Sequence, residues 1–361
     1  MKRPVPSRVL VLLLVALGFS VCHAEEKSTV ESPSPIKGPP LPVLEVIEQD
    51  KPTEEINAYR QQARQLYNES RFDELEALAA KARTTKARFG NGSWAISEFY
   101  GSFDCRDEEP ESAWQLHDRI HRHWIEAQPQ SITARVAHAG FLVSYAWRAR
   151  GSDYADAVKE EGWRLFAKRL AEAQTVLTAA RKLEAKCPLW WSFQMAVALG
   201  EDWDGARYDA LFAEAKAFEP EFWNYDLKRA YYLLPRWHGE PGDWEAAAEK
   251  ELARPGLGAE AYARVVLQQR RYSETNVFRE TKASWPKTRE GLEILRQKYP
   301  GSLDILTHCA QLAYLAGDRP TAQKLFTEIG GRYYQPAWKD KARFIRLRTW
   351  AYDEPPPATA K

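Results

Sequence analysis

The sequence predicts an all-α protein of stacked helical hairpins, an α-solenoid with an irregular middle section. Three observations lead there. Apolar residues recur at three- and four-residue steps from Thr53 to Tyr352, without strand-like alternation. Small residues stand where helices must approach each other: Ala310 and Ala313 precede a Gly317-Asp318 turn, and Ala322-x-x-x-Phe326 follows it. A hydrophobic content of 44%, 12% of the chain being aromatic, lets 361 residues bury one large core or two ordinary ones. With 14 Trp against 2 Met, the seams between helices are expected to be filled by broad, stiff rings.

The N-terminus reads as a secretory signal. Lys2, Arg3 and Arg8 precede an apolar run from Val9 to Val21, and Cys22-His23-Ala24 supplies a small-x-small cleavage site. Cleavage after Ala24 would deliver a periplasmic or secreted protein with no integral membrane span, since the apolar run falls short of the roughly twenty residues that a span needs. An uncleaved anchor is the alternative; acylation of Cys22 ranks below it, because Val21 sits where a small residue belongs. Removing residues 1–24 takes three basic and no acidic residues, leaving 48 basic against 50 acidic, a net charge of −2. That balance argues against nucleic acid or an anionic membrane as partner. Residues 25–52 carry Pro33, Pro35, Pro39, Pro40, Pro42 and Pro52 among Ser, Lys and Glu, which predicts a disordered tether. Residues 353–361 read as a frayed tail.

Residues 53–352 are expected to form a single domain. Thr53-x-Glu55 opens a first helix with Tyr59, Ala63 and Leu66; Asn68 to Arg71 turns it, and Phe72, Leu75, Leu78, Ala79 and Ala82 carry the second. A helix covers Glu111 to Glu126. Longer helices follow at Ile132–Arg150 and Tyr154–Lys186. After Pro188 come Ala196 and Leu199, a turn between Gly200 and Gly205, then Tyr208-x-x-x-Phe212, Ala215, and Pro220 opening the next helix. Asp243 is expected to cap a helix Trp244–Leu252, and the clearest hairpin runs from Leu303 to Ile329.

These spacings resemble tetratricopeptide hairpins, which implies a repeat stack binding a protein or peptide along a concave face. The alternative topology is an all-α globule without repeats. Residues 129–252 also resemble a bacterial family known only as domain of unknown function 4034. The strings that carry the likeness are Arg148-Ala149-Arg150-Gly151, Tyr231-Tyr232-Leu233-Leu234-Pro235-Arg236-Trp237-x-Gly239 and Gly242-Asp243-Trp244-Glu245. The resemblance implies a helical, repeat-like fold and brings no activity.

No residue is assigned a catalytic role and no cofactor is called for. The chain has no G-x-S-x-G elbow, and neither a P-loop nor a strand-linked G-x-G-x-x-G. His117 and His121 share a helix face at the spacing of a metal clasp, yet two ligands fall short of a site. Cys105 with Cys187 is the disulfide to test, and Cys309 belongs to an apolar face. Asp202 with Asp204 and Glu240 with Asp243, beside Trp203 and Trp244, would suit a glycan-cleaving or glycan-binding envelope protein, but acidic residues at turns are commoner as helix caps. The candidate partner-binding residues are Trp223, Tyr225, Arg229, Arg236, Trp237 and His238, an aromatic and cationic cluster in a Pro- and Gly-broken segment. The competing reading makes that segment a corner between hairpins, and a purely structural spacer is a further alternative for the whole protein.

Overall fold

A computed structural model describes residues 39–151 and 155–353, most of them helical. The signal segment, residues 25–38 of the tether and the tail beyond Asp353 lie outside the described residues. The first hairpin is α1 (Lys51–Asn68) and α2 (Phe72–Thr85), followed by α3 (Ala95–Gly101). Then come α4 (Glu111–Ala127), α5 (Ile132–Arg150), α6 (Glu160–Arg181), α7 (Pro188–Gly200), α8 (Gly205–Phe218) and α9 (Asn224–Tyr232). The C-terminal half holds α10 (Asp243–Leu252), α11 (Ala259–Gln269), the short α12 (Val277–Glu280), α13 (Trp285–Lys298), α14 (Leu303–Leu315), α15 (Arg319–Ile329), the short α16 (Gln335–Trp338) and α17 (Lys341–Tyr352).

Helices adjacent in sequence pack in hairpins, and several also pack on the next but one: α5 on α7, α7 on α9, α9 on α11 and α11 on α13. The α14–α15 hairpin shows why. Ala310, Ala313 and Ala322 are wholly buried, so the two helices close over them with Phe326 between. Asp318 caps α15 by accepting from the Thr321 backbone N–H at 3.1 Å and from its hydroxyl at 2.8 Å. Asp204 caps α8 in the same way, through the N–H of Arg207 at 2.9 Å. Tyr208 stacks on Tyr232 with centroids 3.8 Å apart.

Some boundaries differ from expectation for identifiable reasons. Helix α1 begins at Lys51 because Asp50 caps it, accepting from the Thr53 N–H and hydroxyl. Pro220 does not open a helix; residues 219–223 form a turn before α9. Gly242, with a φ of 104°, is the cap of α10, while Asp243 accepts from the N–H of Glu240.

Residues 39–52 are not a tether. Strand β1 (Glu45–Ile47) pairs in parallel with β2 (Arg332–Tyr334) between α15 and α16, and the Arg348 guanidinium donates to the carbonyls of Pro39 and Pro40. The Asp50 carboxylate also accepts from the N–H of Leu303, the first residue of α14, at 2.9 Å. Beginning and end of the domain are thereby joined. The turn after α2 reaches across as well: Arg88 pairs with Glu221 at 2.6 Å, Lys86 with Glu219 at 2.6 Å, and Trp94 lies edge-on to Phe222.

Two apolar clusters fill the interior, one from α1 to α9 and the other from α9 to α17. Tyr231, Leu233 and Trp237 pack against both. The most distinctive string of the sequence is therefore the joint between two cores. Gly239 belongs to that joint: a Cβ there would stand 2.0 Å from the Leu233 carbonyl oxygen, so only glycine lets the chain fold back.

Candidate functional site

A cavity of about 860 Å³ opens between the loop after α3, α5, α7 and α9. The loop contributes Asp104, Cys105 and Asp107 to its rim. Helix α5 presents Ser144, Trp147 and Arg148, while Trp114, Phe193 and Ala196 close the wall. Lys228 projects from α9. A smaller pocket of about 220 Å³ adjoins it, sharing Trp147, Ala196 and Lys228 and adding Met195, Leu199, Tyr208 and Tyr231.

The walls are held in place by identifiable contacts. Arg148 donates to the carbonyls of Asp107 and Glu109 and pairs with Glu111 at 2.6 Å, stitching the rim loop to α5. Its guanidinium also lies 5.1 Å from the ring of Trp114, which stacks on Tyr145. On the other side Arg64 donates to the Asp104 carbonyl at 2.6 Å. Gly140 lets the Phe193 ring lie against α5, since a Cβ would come within 2.6 Å of it.

The electrostatics of the rim are uneven. Burial raises the Asp104 carboxyl although the residue is open to solvent at the cavity mouth, and Arg60, Arg64 and Lys228 pull it back. Burial lowers the Lys228 ammonium, which the charge of Asp104 partly offsets. Among the described residues Lys228 has no hydrogen-bonding or ion-pair partner within reach, unlike Arg148, Lys216 and Arg264, each of which holds a carboxylate. Burial also raises the Cys105 thiol, with Glu109 adding to the effect.

The six residues expected to bind a partner are engaged in packing against different elements. Trp223 donates to the Gly92 carbonyl at 3.3 Å and lies under Arg264. Tyr225 is wholly buried and donates to the Pro188 carbonyl, which removes it from any surface. Arg229 pairs with Asp209 at 3.0 Å, and Arg236 sits over Tyr272. Trp237 meets Trp147 edge-on at 5.7 Å, and His238 stacks on Tyr232 and reaches Asp202 at 3.5 Å. Arg236 is the one of the six that is largely exposed.

His121 is part of the buried interior, and His117 lies half-buried beside it. His121 is fully buried against Tyr67, Phe141 and His138, and burial holds its pKa well below 6.5. His117 stacks on Tyr67, with Nδ1 3.3 Å from the tyrosine oxygen. Among the described residues no three His, Cys, Asp or Glu side chains gather as a metal site. The expected Cys105–Cys187 bridge is not formed: both are free thiols, Cys187 buried and 3.5 Å from the Tyr100 hydroxyl, Cys105 out at the cavity rim. Cys309 is buried, as its apolar face requires.

The cavity residues Asp104, Ser144, Trp147 and Lys228 were not among the sequence candidates. Their only signals were the aromatic-rich helix leading to Arg148 and a lysine inside the Trp223–Trp244 segment. No described helix is long and apolar enough to cross a membrane. Comparison with family descriptions, curated proteins and solved structures gives no match, so the likeness of residues 129–252 to a family rests on the quoted strings.

Proposed function

We propose that this chain is an exported, tetratricopeptide-like binding protein that holds a peptide segment of an envelope partner in the cleft between the α3–α4 loop, α5, α7 and α9. The export half of this reading rests on the basic, apolar and small-residue pattern of residues 1–24. The binding half rests on one observation: a cavity of about 860 Å³ with aromatic walls and unevenly paired charges, of a size that suits a ligand of several residues. Among the described residues of the lining, Ser144 and Cys105 stand without a histidine. Holding a ligand is the chemistry that such walls support.

Titration of the purified chain with a peptide mixture, read by thermal unfolding, tests this. At a hundredfold excess over Kd a bound peptide should add about 2.7 kcal/mol of stability, and Trp147→Ala should abolish the gain. No shift with any peptide contradicts the proposal. A second reading, glycan binding, is favoured by Trp147 standing with Asp104 and Asp107 in the same cleft. A melting shift with peptidoglycan fragments and none with peptides would select it.

A further inference from the structure

The cation at the junction of the two cavities calls for a ligand group. Lys228 lines both the large cleft and the adjoining pocket of about 220 Å³. Other enclosed cations of the fold have partners, carboxylates in three cases: Lys216 with Asp226 at 3.1 Å, Arg229 with Asp209 at 3.0 Å, Arg264 with Glu260 at 2.9 Å; Arg348 is held by the carbonyls of Pro39 and Pro40 and Arg270 by Gln311. Among the described residues Lys228 has no carboxylate within ion-pair distance, only the longer-range field of Asp104. Asp104 itself is drawn on by Arg60 and Arg64 as well, so its charge is shared and does not serve Lys228 alone. The adjoining pocket is walled by Met195, Leu199, Tyr208 and Tyr231, which offer an apolar, aromatic chamber directly beside the ammonium.

We propose that Lys228 anchors a carboxylate of the ligand, and that an aromatic or large apolar group next to that carboxylate fills the adjoining pocket. The inference rests on the cleft being a binding site and names the chemistry that it selects. A carboxylate of this kind is carried by the C-terminus of a peptide ending in an aromatic residue, or by an acidic side chain beside one. An ammonium with three donors and no partner satisfies either.

The test is calorimetric titration of the full chain with N-acetyl-Ala-Ala-Phe as free acid and as amide, with N-acetyl-Ala-Glu-Phe amide, and with indole-3-acetate against indole-3-acetamide. The free acid should bind about tenfold or more tightly than its amide. Lys228→Gln should erase that difference, and Lys228→Arg should keep part of it. Tight binding of the Glu-Phe amide identifies the side-chain source, and weak binding identifies the chain terminus. Equal affinities of acid and amide for the unaltered chain overturn the anchor, and so does a difference that survives Lys228→Gln. If peptides fail while indole-3-acetate binds through Lys228, the anchor stands and the peptide reading falls. If no probe binds, both fall.

Discussion

His121 has both ring nitrogens without a hydrogen-bond partner in a fully buried position, and its neighbours His117 and His138 and the nearby Arg64 all disfavour a second charge there. Asp118, bonded to His138 at 2.9 Å, pulls weakly the other way. The folded state therefore holds His121 neutral, while the unfolded chain takes up a proton below 6.5. Its contribution to stability is fully present above that pH and falls as the pH drops toward its depressed folded value. Urea unfolding from pH 7 to 5 should show His121→Phe losing about 2 kcal/mol less than the unaltered chain over that range, the difference in slope approaching about 1.4 kcal/mol per pH unit near pH 5. Parallel curves would mean that the ring finds a partner. Lys216 poses the opposite case. Its ammonium lies 3.1 Å from Asp226 and 3.9 Å from Glu251, all three buried, and Asp226 is pushed up to about 6 by burial despite the lysine. Lys216→Met should cost about 3–5 kcal/mol, because two carboxylates lose their shared cation. Adding Asp226→Leu should recover much of it, Glu251 keeping Arg254 at 2.9 Å. Denaturant midpoints of the two variants check both statements.

At the scale of elements, the hairpins were legible where the signal is local. Ala310, Ala313, Ala322 and Phe326 sit in the α14–α15 seam as their spacing requires, and the turns at Asn68–Arg71 and Gly200–Gly205 fall between helices. Of the acidic residues beside turns, Asp204 caps α8 as the commoner reading had it, whereas Gly242 takes the cap position of α10 in place of Asp243 and Asp202 reaches His238. The cap at Asp50 is obscured in the sequence by the Pro-rich run before it, although an Asp followed closely by Pro52 and the acidic Glu54 is a helix-start signal. Strand β1 gave no warning: three residues show no periodicity, and its partner lies at the other end of the domain. Asp50 serves both ends at once, capping α1 and accepting from α14. Asp50→Ala should cost about 2–4 kcal/mol, the loss of a cap plus an orphaned Leu303 N–H. A loss below 1 kcal/mol by chemical denaturation would show that the ends are held by β1 and β2 alone.

Over the whole molecule, helical content and sequential packing could be read from the chain, whereas the cleft could not. Its walls come from residues 104–107, 114, 143–151, 193–199 and 228–231, brought together only when α5, α7 and α9 stack. The aromatic and cationic string around Trp237 drew attention for its composition, and its task is to join two cores. Trp237→Ala should accordingly lower stability by about 2–3 kcal/mol, seen as a shifted urea midpoint. Unchanged stability with lost partner capture would return that segment to the surface-binding role first considered. In the proposed reading, ligands enter the cleft rimmed by Cys105. In the Cys22→Ser chain, Cys187 and Cys309 are buried, so a bulky maleimide should modify Cys105 alone under native conditions. The account predicts that the modified protein no longer binds the peptide that stabilises the unmodified one, and that prior peptide binding protects the thiol; undiminished binding by the modified protein would contradict it.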